Sequence, residues 1–544
     1  MLKLTIDGQP VEVPTGSSIL DAARRLGIDV PTLCYLEGYH PSTSCQVCVV
    51  KLVDSGRVVA SCGMPASDGL RVESETPEVH ALRRTALELL LSDHVGDCMA
   101  PCFFACPAHM DVQLMLREIG DQDLRGAIAT IKQDIALPAV LGRVCPKPCE
   151  KGCRRSSADG PVEVCDLKRE VADRDLASGD PYLPACPPDT GKQVAVVGAG
   201  PTGLAAAFHL RCAGHQVTLF EAAQQAGGRL RDEFADELPV ATLEGEIDVI
   251  LKIGVELRCG QRLGEHLDLN PLRQQFDAVL VATGADAKDQ AAVWGLEVTK
   301  RGVKINAKTF ETDVPGVFAA GNAIRGRGMV VRSVADGKEA AAAISQFVLD
   351  KPITPVTRPF SSRIGKVSEE EMPEFLALAE SKPPLAADQA SGSLELPIMS
   401  QQAHRCLACG CPAHGNCRLE RYAAQYGAEP SRFQSDRRAF VQVNRQGKVI
   451  YEPGKCINCE LCIRIAGQAE DALGLSFVGR GFDVRVGVPF HGTMEQALGS
   501  VAARCVAVCP TGALFFSPLH QIVQDQPCAA DQGPGGRESF SPDD

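Results

Sequence analysis

No stretch of this 544-residue chain is apolar for long enough to cross a membrane as a helix. The opening residues, Met1-Leu2-Lys3-Leu4-Thr5-Ile6-Asp7, turn polar too early for a secretory signal. Positive charge is scarce as well: 55 Lys and Arg face 68 Asp and Glu, a net charge of −13. That argues against a nucleic-acid partner, which needs basic patches for its phosphates. No nucleophile–base pair or acid/base dyad stands out, so no hydrolytic or group-transfer centre can be read. The remaining composition, 45% hydrophobic and 23% charged, is that of a globular protein too long for one core.

Cysteine is plentiful. The 24 residues fall in tight clusters, many spaced C-x2-C or C-x3-C. Secreted proteins use such residues as disulfides, whereas intracellular enzymes use these spacings for metals or redox chemistry. With no secretory signal, the metal reading prevails, and the expected compartment is the reducing cytoplasm.

The pattern changes several times along the chain. Residues 1–78 alternate in short β-like runs around one helix, capped by Ser17 or Ser18, with Ile19, Ala22, Ala23 and Leu26 on its apolar face. Residues 79–180 carry helical patterns, Val79 to Leu91 and Val112 to Ile135, among dense cysteines. Residues 190–350 read as strand, Gly-rich turn, helix and further strands, an α/β pattern. Seven prolines mark 351–400 as a linker with one short helix. Cysteines return in 401–518, and 519–544 reads as a disordered tail.

Cys34, Cys45, Cys48 and Cys62 follow C-x10-C-x2-C-x13-C in the β-rich segment. Four thiolates suit a [2Fe–2S] cluster, and the loop Pro41-Ser42-Thr43-Ser44 lets backbone N–H groups approach its sulfides. A structural zinc site is the competing reading. The arrangement resembles the β-grasp ferredoxin domain that opens the large Fe–S subunit of respiratory NADH dehydrogenase and of NAD-linked hydrogenases.

A second set comprises His94, Cys98, Cys102 and Cys106-Pro107, then Cys145-Pro146, Cys149, Cys153 and Cys165. Eight ligands suffice for two [4Fe–4S] clusters. The segments Cys102-Phe103-Phe104-Ala105-Cys106-Pro107 and Gly142-Arg143-Val144-Cys145-Pro146 resemble the N-terminal domain of the glutamate synthase small subunit and of dihydropyrimidine dehydrogenase. That resemblance implies interleaved ligands: Cys98, Cys102 and Cys153 on one cluster, Cys106, Cys145 and Cys149 on the other. The first family cysteine is missing, and the last, non-cysteine ligand falls near Lys168, a poor ligand as an ammonium. His94 and Cys165 are the expected substitutes; otherwise His94 is an exposed or N-capping residue.

Gln193 to Gly203 forms a strand running into the turn Gly198-Ala199-Gly200-Pro201-Thr202-Gly203. Gly198 permits the turn, Gly200 admits a pyrophosphate, and Gly203 lets helix and strand close up. Glu221 ends the next strand, where a carboxylate holds ribose hydroxyls. Gly227-Gly228-Arg229-Leu230, Val281-Ala282-Thr283-Gly284 and Gly316 to Asn322 resemble the FAD signatures of the same glutamate synthase and pyridine-nucleotide reductase group. The resemblance implies FAD held by Gly228, Arg229, Thr283, Gly284, Gly321 and Asn322, with Asn322 where the family has Asp. In that family a nicotinamide domain separates the last two signatures. Here some thirty residues do, without a second G-x-G-x-x-G, so nicotinamide binding in the usual way is not expected.

Near the C-terminus, Cys456, Cys459 and Cys462 with the distant Cys509-Pro510 match a single bacterial-ferredoxin [4Fe–4S] set, leaving Cys505 structural or free. Cys406, Cys409, Cys411 and Cys417 make C-x2-C-x-C-x5-C, for either a further [4Fe–4S] cluster or a zinc ion. Cys186, Cys212, Cys259 and Cys528 stand alone, Cys212 as core packing.

The expected fold class is therefore multidomain α/β and α+β: a β-grasp ferredoxin, a helical Fe–S domain, a Rossmann-like FAD domain and a C-terminal ferredoxin-like module. The expected cofactors are FAD, one [2Fe–2S] and three or four [4Fe–4S] clusters. The resemblances imply an electron-transfer subunit of an NAD(P)-linked oxidoreductase, electron-bifurcating ones included. Its implied partners are an NADH dehydrogenase-like FMN- and NADH-binding subunit and a catalytic or ferredoxin-reducing subunit. The competing readings are a flavin-free wiring subunit and a free-standing NAD(P)H-oxidising enzyme.

Overall fold

The computed structural model describes residues 1–517 except 357, 378, 386–392, 434, 445 and 446. The tail at 519–544, with Cys528, lies outside the described residues. The chain forms two compact units. One is continuous, Gly96–His414; the other is built from Met1–Val95 together with the segment from Gly415 onward. In sequence, the first unit is thus an insertion into the second.

The N-terminal part of the divided unit is a five-stranded sheet. Its strands are β1 (Leu2–Ile6), β2 (Gln9–Val13), β3 (Val49–Leu52), β4 (Val58–Ala60) and β5 (Arg71–Glu73), in the order β2-β1-β5-β3-β4. β1 and β2 form a tight hairpin because Asp7 and Gly8 both accept positive φ, 48° and 78°. Ser18 caps the helix Ile19–Arg25 in a reciprocal box with Asp21. Ile19, Leu20, Ala22 and Ala23 of that helix are buried with Ile6, Val13 and Val50.

The helix Pro77–Leu91 starts at the Thr76 cap and ties the two segments of this unit together. Its buried Arg83 donates to the Tyr426 hydroxyl at 2.8 Å. Its buried Glu88 accepts from Arg432 at 2.9 Å and from the Glu429 N–H at 3.2 Å.

The inserted unit opens with helices. The expected helical stretch Val112 to Ile135 is two helices, Val112–Gly120 and Leu124–Asp134. Gln122 turns the chain at φ 62°, and Asp123 caps the second helix by accepting from Gly126 N–H at 2.8 Å. A parallel sheet follows: β6 (Gln193–Val197), β7 (Gln216–Phe220), β8 (Val255–Arg258), β9 (Ala278–Val281) and β10 (Val317–Ala319), in the order β10-β9-β6-β7-β8. The strand order reverses between β6 and β9, and ligands of such sheets bind at the carboxyl ends of the strands there. The helices Pro201–Cys212 and Val330–Val348 pack closely, because Gly337 sits where a Cβ would meet Thr202 O at 2.3 Å. Between β9 and β10 the chain makes one short helix, Ala287–Gln290, and an isolated bridge, with no second sheet.

Within residues 351–400, expected as a linker, the stretch around Ser362 and Ile364 packs down. Ser362 and Ile364 are each 3% exposed. Ser362 Oγ donates to Gly96 O at 2.9 Å, and Ile364 N–H to Asp97 Oδ1 at 2.9 Å. The helix Leu396–Ala403 follows, with Ser400 Oγ donating to Gly120 O. Two of its prolines, Pro373 and Pro397, sit in the first turn of short helices, where a missing N–H costs nothing.

The C-terminal segment completes the divided unit with β11 (Val449–Tyr451), β12 (Ser476–Val478), β13 (Arg485–Gly487) and β14 (Leu514–Phe516). β11 pairs with β14, and β12 with β13, all antiparallel. Cys456 follows β11 and Cys509 precedes β14, so the two-strand frame brings distant cysteines to one end. No described helix is long and apolar enough to cross a membrane.

Candidate functional site

The first thiol set lies in the divided unit. Cys34, Cys45, Cys48 and Cys62 are all buried, with Cys34 Sγ 3.3 Å from Cys45 Sγ. Cys34 also hydrogen-bonds Cys62, which in turn bonds Cys48, so the four form one continuous group. The loop before Cys48 is held open by two non-glycine residues at positive φ, Thr43 (56°) and Gln46 (54°).

The second set is in the inserted unit and divides in two. Cys165 hydrogen-bonds both Cys145 and Cys149, and Cys149 feels the charge of Cys106. Lys168 is buried against the same four sulfurs. Burial acts to lower its pKa, but Cys165, Cys145, Cys149 and Cys106 outweigh burial and raise it. Glu150 accepts from Cys165 N–H at 2.8 Å and is pushed up to about 7 by burial and by Cys165.

The other half differs from the expected grouping. Cys102 faces Cys406, Cys409 and Cys153, and Cys409 faces Cys406 and Cys153. Burial pushes Cys406 up to about 11 and Cys409 to about 12. Such sulfurs ionise when a cation replaces the proton. Arg154 lies beside Cys409 and pairs with the buried Asp97.

Cys98, expected with Cys102 and Cys153, places its Sγ 3.4 Å from Ser362 Oγ. The Cys411 N–H donates to Cys98 O at 3.1 Å, beside the bridge between Asp97 and Gly410. Of the expected foursome Cys406, Cys409, Cys411 and Cys417, Cys406 and Cys409 face each other. Cys417 belongs to the divided unit, where it caps the helix Arg418–Gln425 by accepting from Glu420 N–H at 3.4 Å. His94 also belongs to that unit, with Nδ1 buried and unbonded among the described residues. Burial and the Lys455 charge lower its pKa to about 4.

Cys456, Cys459, Cys462 and Cys509 line one small cavity of about 20 Å³ with Tyr451 and Thr511. Tyr451 hydrogen-bonds Cys456 and accepts from Val486 N–H at 3.2 Å. Cys505 is buried and donates to Cys462 O. Cys459 feels the charge of Cys34, and Leu36 and Tyr39 pack on the core of this module. The first and last thiol sets are therefore neighbours within the divided unit.

A shared backbone device recurs. Gln46, Lys147, Ala408, Asn458 and Glu460 sit between clustered cysteines with positive φ, although none is glycine. A left-handed residue there turns backbone N–H groups toward sulfur, as Asn458 N–H does toward Cys456 Sγ at 3.4 Å. Among the described residues, no three or more His, Cys, Asp or Glu side chains are drawn together as a grip for a single ion.

The flavin signatures converge on a cavity of about 300 Å³ at the sheet's switch point. Gly198, Gly200, Glu221, Gly228, Arg229, Thr283, Gly284 and Asn322 line it. Gly203 and Gly321 support it instead. A Cβ on Gly203 would lie 1.8 Å from Gly198 O, and one on Gly321 2.1 Å from Thr202 Oγ1. Glu221, expected at ribose hydroxyls, accepts from Ala199 and Ala223 N–H, each at 2.8 Å, and so braces the Gly-rich turn. Asn322 bridges Gly326 O and Arg229, each at 2.9 Å, once its amide is turned to satisfy both. Arg229 also donates to Gly328 O at 2.8 Å.

These residues fit a flavin dinucleotide. Thr283 Oγ1 is buried without a partner among the described residues. No atom lies within 4 Å of a Cβ placed on Gly200 or Gly284. The helix Pro201–Cys212 starts at Gly200 with no side-chain cap, leaving N–H groups for phosphate. Arg327, Trp294 and Glu233 also line the cavity. They belong to no signature, so the sequence did not single them out.

Comparison with known families matches residues 1–77 to a 2Fe-2S iron-sulfur cluster binding domain and residues 93–180 to dihydropyrimidine dehydrogenase domain II, 4Fe-4S cluster. Residues 156–337 match pyridine nucleotide-disulphide oxidoreductase. Among curated proteins, the chain is 38% identical over 218 residues to the NADP(+)-dependent formate dehydrogenase subunit beta of Moorella thermoacetica. It is 39% identical over 189 residues to the NAD-dependent dihydropyrimidine dehydrogenase subunit PreT of Escherichia coli strain K12. It is 36% identical over 161 residues to the glutamate synthase [NADPH] small chain of Bacillus subtilis strain 168. The matches cover 36%, 34% and 29% of this chain, and 31%, 45% and 32% of those proteins. The chain therefore spans less than half the length of each. It joins a [2Fe–2S] domain to a glutamate synthase small chain-like core, in which a [4Fe–4S] domain of the dihydropyrimidine dehydrogenase type precedes an FAD domain of the pyridine nucleotide-disulphide oxidoreductase type.

Proposed function

We propose that this chain is the electron-transfer iron–sulfur flavoprotein subunit of a multisubunit NAD(P)-linked oxidoreductase of the cytoplasm. The observation that carries the reading is the company of one flavin cavity and four convergent thiol groups. When bound, flavin exchanges electrons in pairs or singly, and the clusters singly.

The chain's own residues hold and tune these groups. Cys34, Cys45, Cys48 and Cys62 hold the [2Fe–2S] cluster. Cys102, Cys153, Cys406 and Cys409 hold one [4Fe–4S] cluster, Cys106, Cys145, Cys149 and Cys165 a second, and Cys456, Cys459, Cys462 and Cys509 a third. His94, Cys98, Cys411 and Cys417 remain as further donors. Lys168 offsets negative charge in its group, and Tyr451 and Arg154 donate hydrogen bonds to sulfur. The Gly-rich turn and Thr283 orient FAD.

The relatives described as beta subunits and as subunit PreT support a place in a complex. Because the chain lacks a second dinucleotide sheet among its described residues, the nicotinamide site falls to a partner like the FMN- and NADH-binding subunit of NADH dehydrogenase. A catalytic or ferredoxin-reducing subunit completes the complex. Anaerobic purification of the tagged chain tests this. FAD, iron and sulfide should co-purify with partner subunits, and the isolated chain should oxidise NAD(P)H slowly. Zinc without iron, or brisk NAD(P)H oxidation by the chain alone, would count against the reading.

A further inference from the structure

Cys186 and Cys212 belong to no cysteine motif and to none of the four thiol groups, yet the fold brings them together. Cys186 lies in the extended segment between the helix Val164–Ala177 and β6, and Cys212 is the last residue of the helix Pro201–Cys212. The segment is laid against the turn after that helix by a row of contacts. Thr190 N–H donates to Gly214 O at 2.9 Å, and Thr190 Oγ1 lies 2.7 Å from His215 Nδ1. Gln216 Nε2 donates to Asp189 Oδ2 at 2.6 Å. Gly214, at φ +87°, approaches so closely that a Cβ there would meet Pro188 O at 2.7 Å. In this setting Pro187 lies against Gly214, Cys186 Sγ donates to Pro184 O at 3.8 Å, and the Cys186 and Cys212 thiols are near enough to act on each other. Both are partly exposed, at the rim of the flavin-domain core.

We propose that Cys186 and Cys212 are a reversible dithiol–disulfide couple that staples the segment entering the flavin domain to that domain's first helix. The oxidant is a low-molecular-weight disulfide, such as glutathione disulfide. The Cys186 thiolate attacks one of its sulfurs, forming a mixed disulfide and releasing one thiolate. The Cys212 thiolate then attacks the Cys186 sulfur and releases the second. The protein loses two electrons and two protons, and one small disulfide becomes two thiols. Burial, reinforced by Cys186, raises the Cys212 thiol to about 12, which suits the resolving role rather than the first attack. The bridge spans β6 and the whole Gly-rich turn, so it shortens the unfolded chain across the flavin-binding segment.

The test uses the full-length chain with its cofactors, kept anaerobic and incubated with glutathione disulfide, then alkylated and peptide-mapped. The expected product is a Cys186–Cys212 cross-link lighter by two hydrogens. It should be reversed by dithiothreitol, leave visible absorbance unchanged and raise the thermal transition. In Cys212→Ser the first step has no successor, so a stable glutathione adduct should accumulate on Cys186. The same adduct accumulating in the wild-type chain would overturn the proposal. So would both cysteines remaining open to alkylation in wild type and variant alike.

Discussion

Thr283 keeps a buried hydroxyl without a partner among the described residues, and Gly200 faces open space at the same cavity. Two glycines of one turn should therefore respond differently to a single methyl group. Gly200 has ordinary extended backbone, φ −81° and ψ −174°, so Gly200→Ala should fold normally and lose FAD. Flavin absorbance and a melting curve separate the two effects. Gly203→Ala forces a contact with Gly198 O and should lower the melting point even without flavin. Glu246 offers a second test. It is 3% exposed and accepts from Ala139 and Val140 N–H at 2.7 and 2.9 Å. Burial dominates those bonds and raises its pKa from 4.5 to about 7. The folded chain then holds a proton that the unfolded chain releases between these values. Its contribution is full below pH 4.5 and is lost as pH rises through about 7, a change on the order of 3 kcal/mol. Urea unfolding across that range should show the slope, and Glu246→Gln should flatten it. The roles of Gly198 in the turn and of Gly203 in close packing were legible in the sequence because a turn of that shape admits little else. Glu221 at the Ala199 N–H was not, because a carboxylate at a strand end reads equally well as a sugar ligand.

Short elements rather than long ones decide the thiol groups. The loops at Cys45–Cys48, Cys145–Cys149, Cys406–Cys409 and Cys456–Cys462 each contain a non-glycine residue at positive φ. Each costs roughly 1–2 kcal/mol and persists because the surrounding fold fixes it. The loop at Cys406 shows what spacing conceals. C-x2-C-x-C-x5-C suggested one local site, yet Cys406 and Cys409 face Cys102 and Cys153, far away in the chain. A cluster joins residues by space, and chain distance of that size leaves no periodicity to read. Replacing Cys406 and Cys409 together by Ala should therefore remove about four irons per chain, the content of one [4Fe–4S] cluster. Elemental analysis against Cys411→Ala, which spares this group, checks it. The capped helix Ile19–Arg25 and the strand–turn–helix at β6 were legible because their signals are local. The break between Val112–Gly120 and Leu124–Asp134 was missed because apolar periodicity continues across it; Gly120 and the Asp123 cap mark it.

At the scale of the whole chain, the sequence showed which modules are present but not how they are grouped. Residues 1–78 and 401–518 read as separate domains, yet the first belongs with the chain from Gly415 onward in one unit. Among the contacts that join Met1–Val95 to the later segment are the buried Arg83 on Tyr426 and Glu88 on Arg432, and the partly buried Leu36 and Tyr39 on the last module. Isolated residues 1–95 should therefore aggregate or fold incompletely, since Arg83 and Glu88 lose the partners that justify their burial. Co-expression with residues 415–517 should restore solubility, read by size-exclusion chromatography; an equally soluble, monodisperse 1–95 fragment would count against the grouping.

The divided unit also sets a timetable for biosynthesis. Its first segment leaves the ribosome while everything from Gly96 to His414 is still unmade. At roughly 5–20 residues per second, the wait for the second segment is on the order of tens of seconds. Through that interval the Arg83–Glu88 face of a finished helix stays wet and open to chaperones. The inserted unit, being continuous, is free to mature first.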